Sequence, residues 1–310
     1  MLEVCDLKKT YVTGTFHKHR INAIDGVSFY IRKGETFGIV GESGCGKSTL
    51  GRCILRLTEP TEGRIIFDGT EISKLGRESM RKIRPRMQMI FQDPDSSLNP
   101  RKTIGKSIAE PLGIKGFQRK LIERKVAELA RHVGLLPEHV DRYPHQLSGG
   151  QNQRAVLARA IALAPDFIVA DEPTASLDVS VQAQILNLLK QLKKEYGLTM
   201  LFISHDLELM KHMCDRIAVM YMGKIIETAY TRDIFESPMH PFTCLLLEGH
   251  ENDMEQENCI IDMKEGCCFY KYCPARSEKC SYKTPKPQEI CSGHFVACHN
   301  VMSSINIRTN

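Results

Sequence analysis

No stretch of this 310-residue sequence approaches the roughly 18 consecutive apolar residues that a membrane-spanning helix needs. Its start, Met1-Leu2-Glu3-Val4-Cys5-Asp6, lacks the basic-then-apolar order of a secretory leader, so the chain is expected to stay in the cytoplasm. No charge sign dominates: 42 Lys and Arg face 37 Asp and Glu, a net +5 spread along the chain. That balance gives no indication of nucleic acid or anionic lipid as a partner. Internal repeats and low-complexity tracts are missing too, which disfavours a solenoid. What remains is ordinary globular material, 42% hydrophobic and 25% charged, enough for one large domain or two modest ones.

Cysteine breaks that ordinariness. Seven of the twelve lie between Cys259 and Cys298, and a reducing compartment argues against structural disulfides. The tail is therefore a different kind of structure from the rest. From Leu2 to about Leu247, short apolar runs alternate with longer helical patterns, which argues an α/β fold with a largely parallel sheet. Thr36–Val40, Phe167–Ala170 and Thr199–Ile203 read as strands buried on both faces. Val181, Ile185, Leu188, Leu189 and Leu192 mark a helix over 179–196, with Asp178 at its N-cap position. From Asp93 to Gln146 the pattern is helical with Pro and Gly breaks, a subdomain inserted in the sheet domain. Beyond Phe235 the pattern fades into Pro, Cys and polar residues.

Gly41-Glu42-Ser43-Gly44-Cys45-Gly46-Lys47-Ser48 fits the phosphate-binding pattern G-x-x-x-x-G-K-[ST], with a strand before it and a helical pattern, 48–57, after it. Thr49 extends the candidate set by one residue. Glycine lets the backbone wrap closely, turning amide N–H groups toward phosphate oxygens. Lys47 is expected to reach the β- and γ-phosphates and Ser48 to offer a hydroxyl to Mg²⁺. A nucleoside triphosphate is the expected ligand. The run Phe167-Ile168-Val169-Ala170 ends in Asp171-Glu172, where Asp171 would hold Mg²⁺ and Glu172 would polarise the attacking water as a general base. Cys45 is read as an inert loop residue rather than a nucleophile.

Leu147-Ser148-Gly149-Gly150-Gln151 opens a second helical pattern, 150–164, and so offers another phosphate-binding N-terminus. With this pentapeptide the sequence resembles the ATP-binding cassette (ABC) family, over roughly residues 1–245. Phe91-Gln92-Asp93 resembles the family's Q-loop, Ser176-Leu177-Asp178 its D-loop and Ile203-Ser204-His205-Asp206 its H-switch. The resemblance implies a RecA-like P-loop core with an antiparallel β subdomain and a helical subdomain inserted at about 93–150. It also implies a head-to-tail dimer in which Ser148, Gly149, Gly150 and Gln151, with Asp178, meet the partner's ATP. Gln92 would sense Mg²⁺ and the attacking water, and His205 would contact the γ-phosphate. Tyr11 matches the aromatic that stacks on adenine; a surface tyrosine at a strand end is the alternative. One departure is Asn152, where Gln or Arg is more usual.

Phe91-Gln92-Asp93-Pro94, Ser97-Leu98-Asn99-Pro100-Arg101, Asp141-Arg142-Tyr143-Pro144-His145 and Ser237-Pro238-Met239-His240-Pro241-Phe242-Thr243 resemble the oligopeptide, dipeptide and nickel importer ATPases. That resemblance implies a paralogous ATPase, two integral-membrane permeases and an extracytoplasmic solute-binding protein as partners, and a peripheral place on the cytoplasmic face of the membrane. Peptide is favoured over nickel or a metal chelate. A soluble cassette ATPase acting on DNA or ribosomes is the rival from another class, and such proteins usually carry two cassettes or a coiled-coil insert. Residues 246–310 form the Cys-rich extension, whose Cys268, Cys273, Cys280 and Cys298 are candidate iron–sulfur ligands, and the resemblance implies a [4Fe-4S] cluster there. Zinc and free thiols are the alternatives, Cys267 can replace Cys268, and Cys259 and Cys291 are extra thiols.

Overall fold

The computed structural model describes residues 1–14, 19–249 and 266–301. The chain divides into two units: Met1–Lys74 with everything from Phe202 onward, and Leu75–Leu201. The first unit opens with β1 (Leu2–Thr13), β2 (His19–Ile31), β3 (Thr36–Val40), α1 (Lys47–Ile54), β4 (Glu62–Phe67) and β5 (Thr70–Glu71). The second runs through α2 (Arg77–Ile83), β6 (Met87–Ile90), α3 (Pro94–Ser97), α4 (Ile104–Ile114) and α5 (Arg119–His132). It continues with α6 (Pro137–Val140), α7 (Gly149–Ile161), β7 (Phe167–Asp171) and α8 (Val179–Tyr196). The division falls within β8 (Thr199–Ile203). The first unit resumes with α9 (Leu207–Met213), β9 (Arg216–Tyr221), β10 (Lys224–Tyr230), α10 (Thr231–Glu236) and α11 (Pro241–Glu248). After the undescribed stretch come α12 (Glu278–Tyr282), β11 (Gln288–Cys291) and β12 (His294–Val296).

In the first unit β1 is the centre of an antiparallel sheet, pairing Leu2 with Ile31 of β2 on one side and with Phe67 of β4 on the other. Leu2, Val4 and Leu7 point into the core. The odd spacing from Val4 to Leu7 is absorbed by a register shift that puts Asp6 at φ 46°. A second sheet runs β11-β12-β10-β9-β3, with β3 parallel to β9. All five residues of β3 are buried, as its unbroken apolar run requires. α1 is shorter than the expected 48–57, because Arg56 turns to φ 52°.

The tail holds more structure than its sequence suggested. β12 adds to β10 through the pairs Glu227↔Val296 and Thr228↔Phe295. Beside that seam the fully buried carboxylate of Glu227 accepts Met239 N–H at 2.7 Å and His240 N–H at 2.9 Å, with His294 Nε2 at 2.7 Å. A carboxylate without such donors would cost several kcal/mol to bury. His240 is pushed down to about 4 by burial, and its neutral Nδ1 caps α11 by accepting Phe242 N–H at 3.1 Å.

In the second unit β6 and β7 are parallel, Met87 opposite Phe167. No strand interrupts 93–146 among the described residues, as expected of the insert. α8 spans Val179–Tyr196 and buries Ile185, Leu188, Leu189 and Leu192, ending where Gly197 takes φ 63°. Asp178 has the extended backbone of an N-cap but makes no side-chain cap bond. α7 stops at Ile161 rather than 164, since Ala164 turns to φ 48°.

Candidate nucleotide site

The first unit carries the phosphate loop. β3 delivers Gly41, and α1 begins at Lys47 behind an N-cap Gly46 at φ 108°, a conformation L side chains rarely adopt. Backbone crowding adds a second demand: a Cβ on Gly41 would overlap Met220 O and one on Gly46 would overlap Ala23 O. The loop is thus pressed against β9 and β2 with no room for any side chain at those points. A cradle of this shape fits polyphosphate, because the free amides of the first turn of α1 supply the positive end of the helix. Lys47 is 5% exposed, and its Nζ donates to Gly41 O at 2.6 Å and Glu42 O at 2.7 Å, drawing the loop around a positive charge. Burial pushes the Cys45 thiol up against the opposing pull of Lys47, so it stays protonated, in keeping with the inert reading.

Ser204, the residue before His205, donates its N–H to Ile39 O at 3.3 Å, two residues short of Gly41. The unit therefore brings His205 to the same end of β3 as the loop. Asp206 fixes the backbone there by accepting Leu209 N–H as the N-cap of α9. Tyr11 lies on β1, partly exposed, with the Lys9 ammonium 4.8 Å above its ring.

The second unit carries the acidic and signature residues. β7 ends in Asp171, which is buried, and Glu172 follows at φ 46°. A non-glycine residue held in the left-handed region costs about 1 kcal/mol or more and is kept where surrounding contacts fix it. Here Gln92 Nε2 donates to Glu172 Oε2 at 2.9 Å, so the Q-loop and the acid are already joined. The turn beyond is pinned by Gln153, whose Nε2 donates to Pro173 O at 2.6 Å, and by Gln182, whose Nε2 donates to Thr174 O at 3.0 Å. Neither glutamine was foreseen. Nothing local in the sequence distinguishes them, because both act through contacts that folding creates.

Ser148 is the N-cap of α7 and shares a reciprocal capping box with Gln151: Ser148 Oγ accepts Gln151 N–H at 3.3 Å and Gln151 Oε1 accepts Ser148 N–H at 3.0 Å. Ser148 and Gly149 are exposed, so the positive end of a 13-residue helix faces outward. Gly150 lets α7 approach α8, for a Cβ there would come within 2.6 Å of Val181 Cγ1. The unusual Asn152 is buried and donates to Pro144 O at 3.1 Å, which accounts for its presence. Asp178 is exposed at the start of α8, beside Val179, which is 82% exposed.

In the tail, Cys267, Cys273, Cys280 and Cys298 are buried, Cys268 is half-buried and Cys291 exposed, while Cys259 lies outside the described residues. Asn300 spans two of them, its N–H on Cys298 Sγ at 3.4 Å and its Nδ2 3.9 Å from Cys280 Sγ. Cys273 is pushed up to about 11, by burial first and then by Cys298, Cys267 and Cys280. Cys267 is drawn down to about 7 by a hydrogen bond from Cys268. Among the described residues no three His, Cys, Asp or Glu side chains are gathered closely enough to hold a metal ion.

The ABC transporter family model matches residues 24–175. The oligopeptide transport ATP-binding protein AppF of Bacillus subtilis is 44% identical, covering 96% of this chain and 97% of its own length. The oligopeptide transport ATP-binding protein OppF of the same organism is 47% identical, covering 96% of each. Among solved structures, the ATP-binding cassette MJ0796, as a dimer in a post-hydrolysis state bound to ADP and Pi, superposes with a TM-score of 0.67 at 32% identity. It covers 75% of this chain and 99% of that one. The structure of cbiO1 from Clostridium perfringens, part of the ABC transporter complex cbiONQ, gives a TM-score of 0.68 at 29% identity, covering 82% of this chain and 98% of that one.

Proposed function

The chain belongs to the ABC transporter family and is one of its ATPases, and from that premise we propose that it energises the import of di- and oligopeptides. One observation carries the peptide reading: likeness to proteins named for oligopeptide transport extends over 96% of the chain, past the cassette and into the tail. Import of nickel or a metal chelate is the second reading, kept because specificity resides in binding-protein and permease pockets outside this chain.

In this reading the loop Gly41–Thr49 cradles the phosphates of ATP, with Tyr11 on the adenine. Lys47 would meet the β- and γ-phosphates, and Ser48, Asp171 and Gln92 would be the residues to hold Mg²⁺, which when bound would supply charge neutralisation on the phosphates. Glu172 would accept the proton of the attacking water, which Gln92 would sense, and His205 would contact the γ-phosphate. Ser148, Gly149, Gly150 and Gln151, with Asp178, serve the ATP of a paralogous cassette in a head-to-tail dimer. Phosphoryl transfer needs chiefly positioning and charge stabilisation, which is what these residue types supply.

Among the described residues no helix is long and apolar enough to cross a membrane, so transport requires membrane partners. We place the chain on the cytoplasmic face, bound to two permeases served by an extracytoplasmic binding protein. Support for a docking surface comes from a groove of about 390 Å³ on the second unit, lined by Glu78, Arg81, Lys82, Lys115, Pro111, Ile114 and Leu163. Ile114 is 72% exposed there. A lining of apolar and mainly basic side chains suits a short permease segment that carries apolar and acidic residues. Tagged chain recovered from its native membranes should bring down two permeases and a second cassette ATPase, and the complex should take up labelled peptide. Nickel uptake without peptide uptake would select the second reading, and ribosomal proteins or DNA in place of permeases would overturn transport altogether.

For the tail we propose that Cys267, rather than Cys268, joins Cys273, Cys280 and Cys298 around a [4Fe-4S] cluster, with zinc as the alternative. The support is their common burial and their mutual electrostatic influence; the thiols would have to draw together to bind. Chain purified without oxygen should contain iron and acid-labile sulfide, both lost in Cys267→Ser and retained in Cys268→Ser. Zinc without sulfide would select the alternative, and neither element would leave the thiols free.

A further inference from the structure

On the reading that the loop Gly41–Thr49 cradles ATP, we propose that Phe269 is a positioning residue for that loop, tying the cysteine-rich tail to it through the ring of Tyr221. Phe269 is fully buried, and a turn of the tail presents it. Cys267 N–H donates to Cys280 O at 2.8 Å, and Tyr270 N–H to Cys267 O at 3.0 Å. The Phe269 ring meets that of Tyr221 edge-on, with centroids 5.5 Å apart and planes at 89°. Phe242 of α11 completes the cluster, 4.6 Å from Tyr221 and 5.5 Å from Phe269. Rings packed edge to face fix one another in direction as well as burying area.

Tyr221 is the last residue of β9, and the backbone on both sides of it touches the phosphate loop. On one side, Met220 O lies against Gly41, where it leaves no room for a Cβ. On the other, Tyr221 pairs with Lys224 across the turn Met222-Gly223, and Gly223 N–H donates to Cys45 O at 2.9 Å. The same turn reaches β2, where Asp25 N–H donates to Gly223 O at 2.9 Å and Lys224 Nζ stands 3.1 Å from Asp25 Oδ2. Met222 is held at φ 45°, a left-handed conformation that a non-glycine residue keeps only where its surroundings impose it. Tyr221 anchors the near end of that turn, so a tail residue sits two contacts away from the phosphate loop. Loosening Tyr221 would let the turn, and Cys45 with it, leave the cradle geometry for part of the time. Apparent affinity then falls with the fraction of chains in the competent geometry. Turnover from the bound state does not, because ATP restores that geometry once it has bound.

Phe269→Leu keeps most of the buried volume and removes the ring edge. The full chain carrying it should bind a fluorescent ATP analogue about three- to tenfold more weakly, the worth of one aromatic pair. In the importer complex purified from membranes, KM for ATP should rise by the same factor, with kcat within about twofold of the unaltered complex. Val296→Ala is the control for a weakened tail, because Val296 is fully buried in a separate apolar cluster with Met239, Cys298 and Val301. It should lower the melting temperature comparably and leave ATP affinity unchanged. In a Tyr221→Leu background, Phe269→Leu should add less than about twofold. Should Phe269→Leu fail to fold, Phe269→Met is measured in its place, with the same expectations. The role of Phe269 is overturned if its variant binds ATP normally, if Val296→Ala weakens binding as much, or if the losses multiply in the Tyr221→Leu background. Lys47→Ala tests the underlying reading by itself: unchanged affinity and turnover in that variant would show that the loop does not hold ATP, whatever Phe269→Leu does.

Discussion

Glu172→Gln is expected to bind ATP with undiminished affinity and to hydrolyse it at least about a hundredfold more slowly, accumulating a closed, ATP-loaded complex. The substitution keeps the shape of the side chain and its place at the end of β7, so the left-handed turn at φ 46° and the contact with Gln92 survive in outline. What it removes is the basic oxygen. General-base assistance is worth roughly 10²–10⁴ in rate, and an amide cannot take up the proton that the attacking water must lose. The Gln92 contact also changes character, from an amide donating to a carboxylate to one amide facing another, which weakens it by about half. Single-turnover hydrolysis of radiolabelled ATP, with retained nucleotide measured in parallel, checks both halves of the expectation. Normal turnover would remove Glu172 from the role of base and leave Asp171 as the nearest carboxylate to examine.

The parts of this molecule legible in the sequence are those whose determinants are local. β3 and β8 were readable because buried parallel strands need unbroken apolar runs, and α8 because Ile185, Leu188, Leu189 and Leu192 repeat at the helical period. The phosphate loop was readable for a different reason. Its glycines, lysine and serine occupy fixed places, and the structure shows the cost of altering two of those glycines in backbone overlaps with β2 and β9. Helix ends were less legible, because α1 and α7 stop where Arg56 and Ala164 turn to positive φ, and neither residue type signals such a turn.

Long-range pairing was not legible at all. β12 is three residues long; beyond its hairpin with β11 it joins the larger sheet because Glu227 and Thr228, nearly seventy positions earlier, offer it an open edge. The carboxylate of Glu227 reads in sequence as one more surface charge on an alternating strand. Its burial beneath Met239, His240 and His294 is a property of the assembled unit. The same holds for Gln153 of α7 and Gln182 of α8. Their neighbours on the chain say nothing of Pro173 or Thr174, so residues that brace a site are harder to read than residues that form it.

Lys47→Ala is expected to reduce ATP hydrolysis by roughly 10²–10³-fold or more, with the fold intact. Two consequences of the substitution have to be kept apart. The first is electrostatic: in the proposed role the ammonium would meet the β- and γ-phosphates, and phosphoryl transfer depends on charge stabilisation more than on covalent chemistry. The second is structural, since Lys47 Nζ ties Gly41 O and Glu42 O together across the loop. Losing two such bonds costs about 1–2 kcal/mol, small beside the stability of a chain this size and equivalent to a few degrees in melting temperature. The backbone amides at the start of α1 remain, so ATP affinity should weaken without vanishing. Thermal unfolding with and without ATP, read beside turnover, separates the two consequences. A melting temperature within a few degrees, a reduced shift on adding ATP and a lost rate would support the phosphate role. Turnover at the normal rate in a folded variant would sink it.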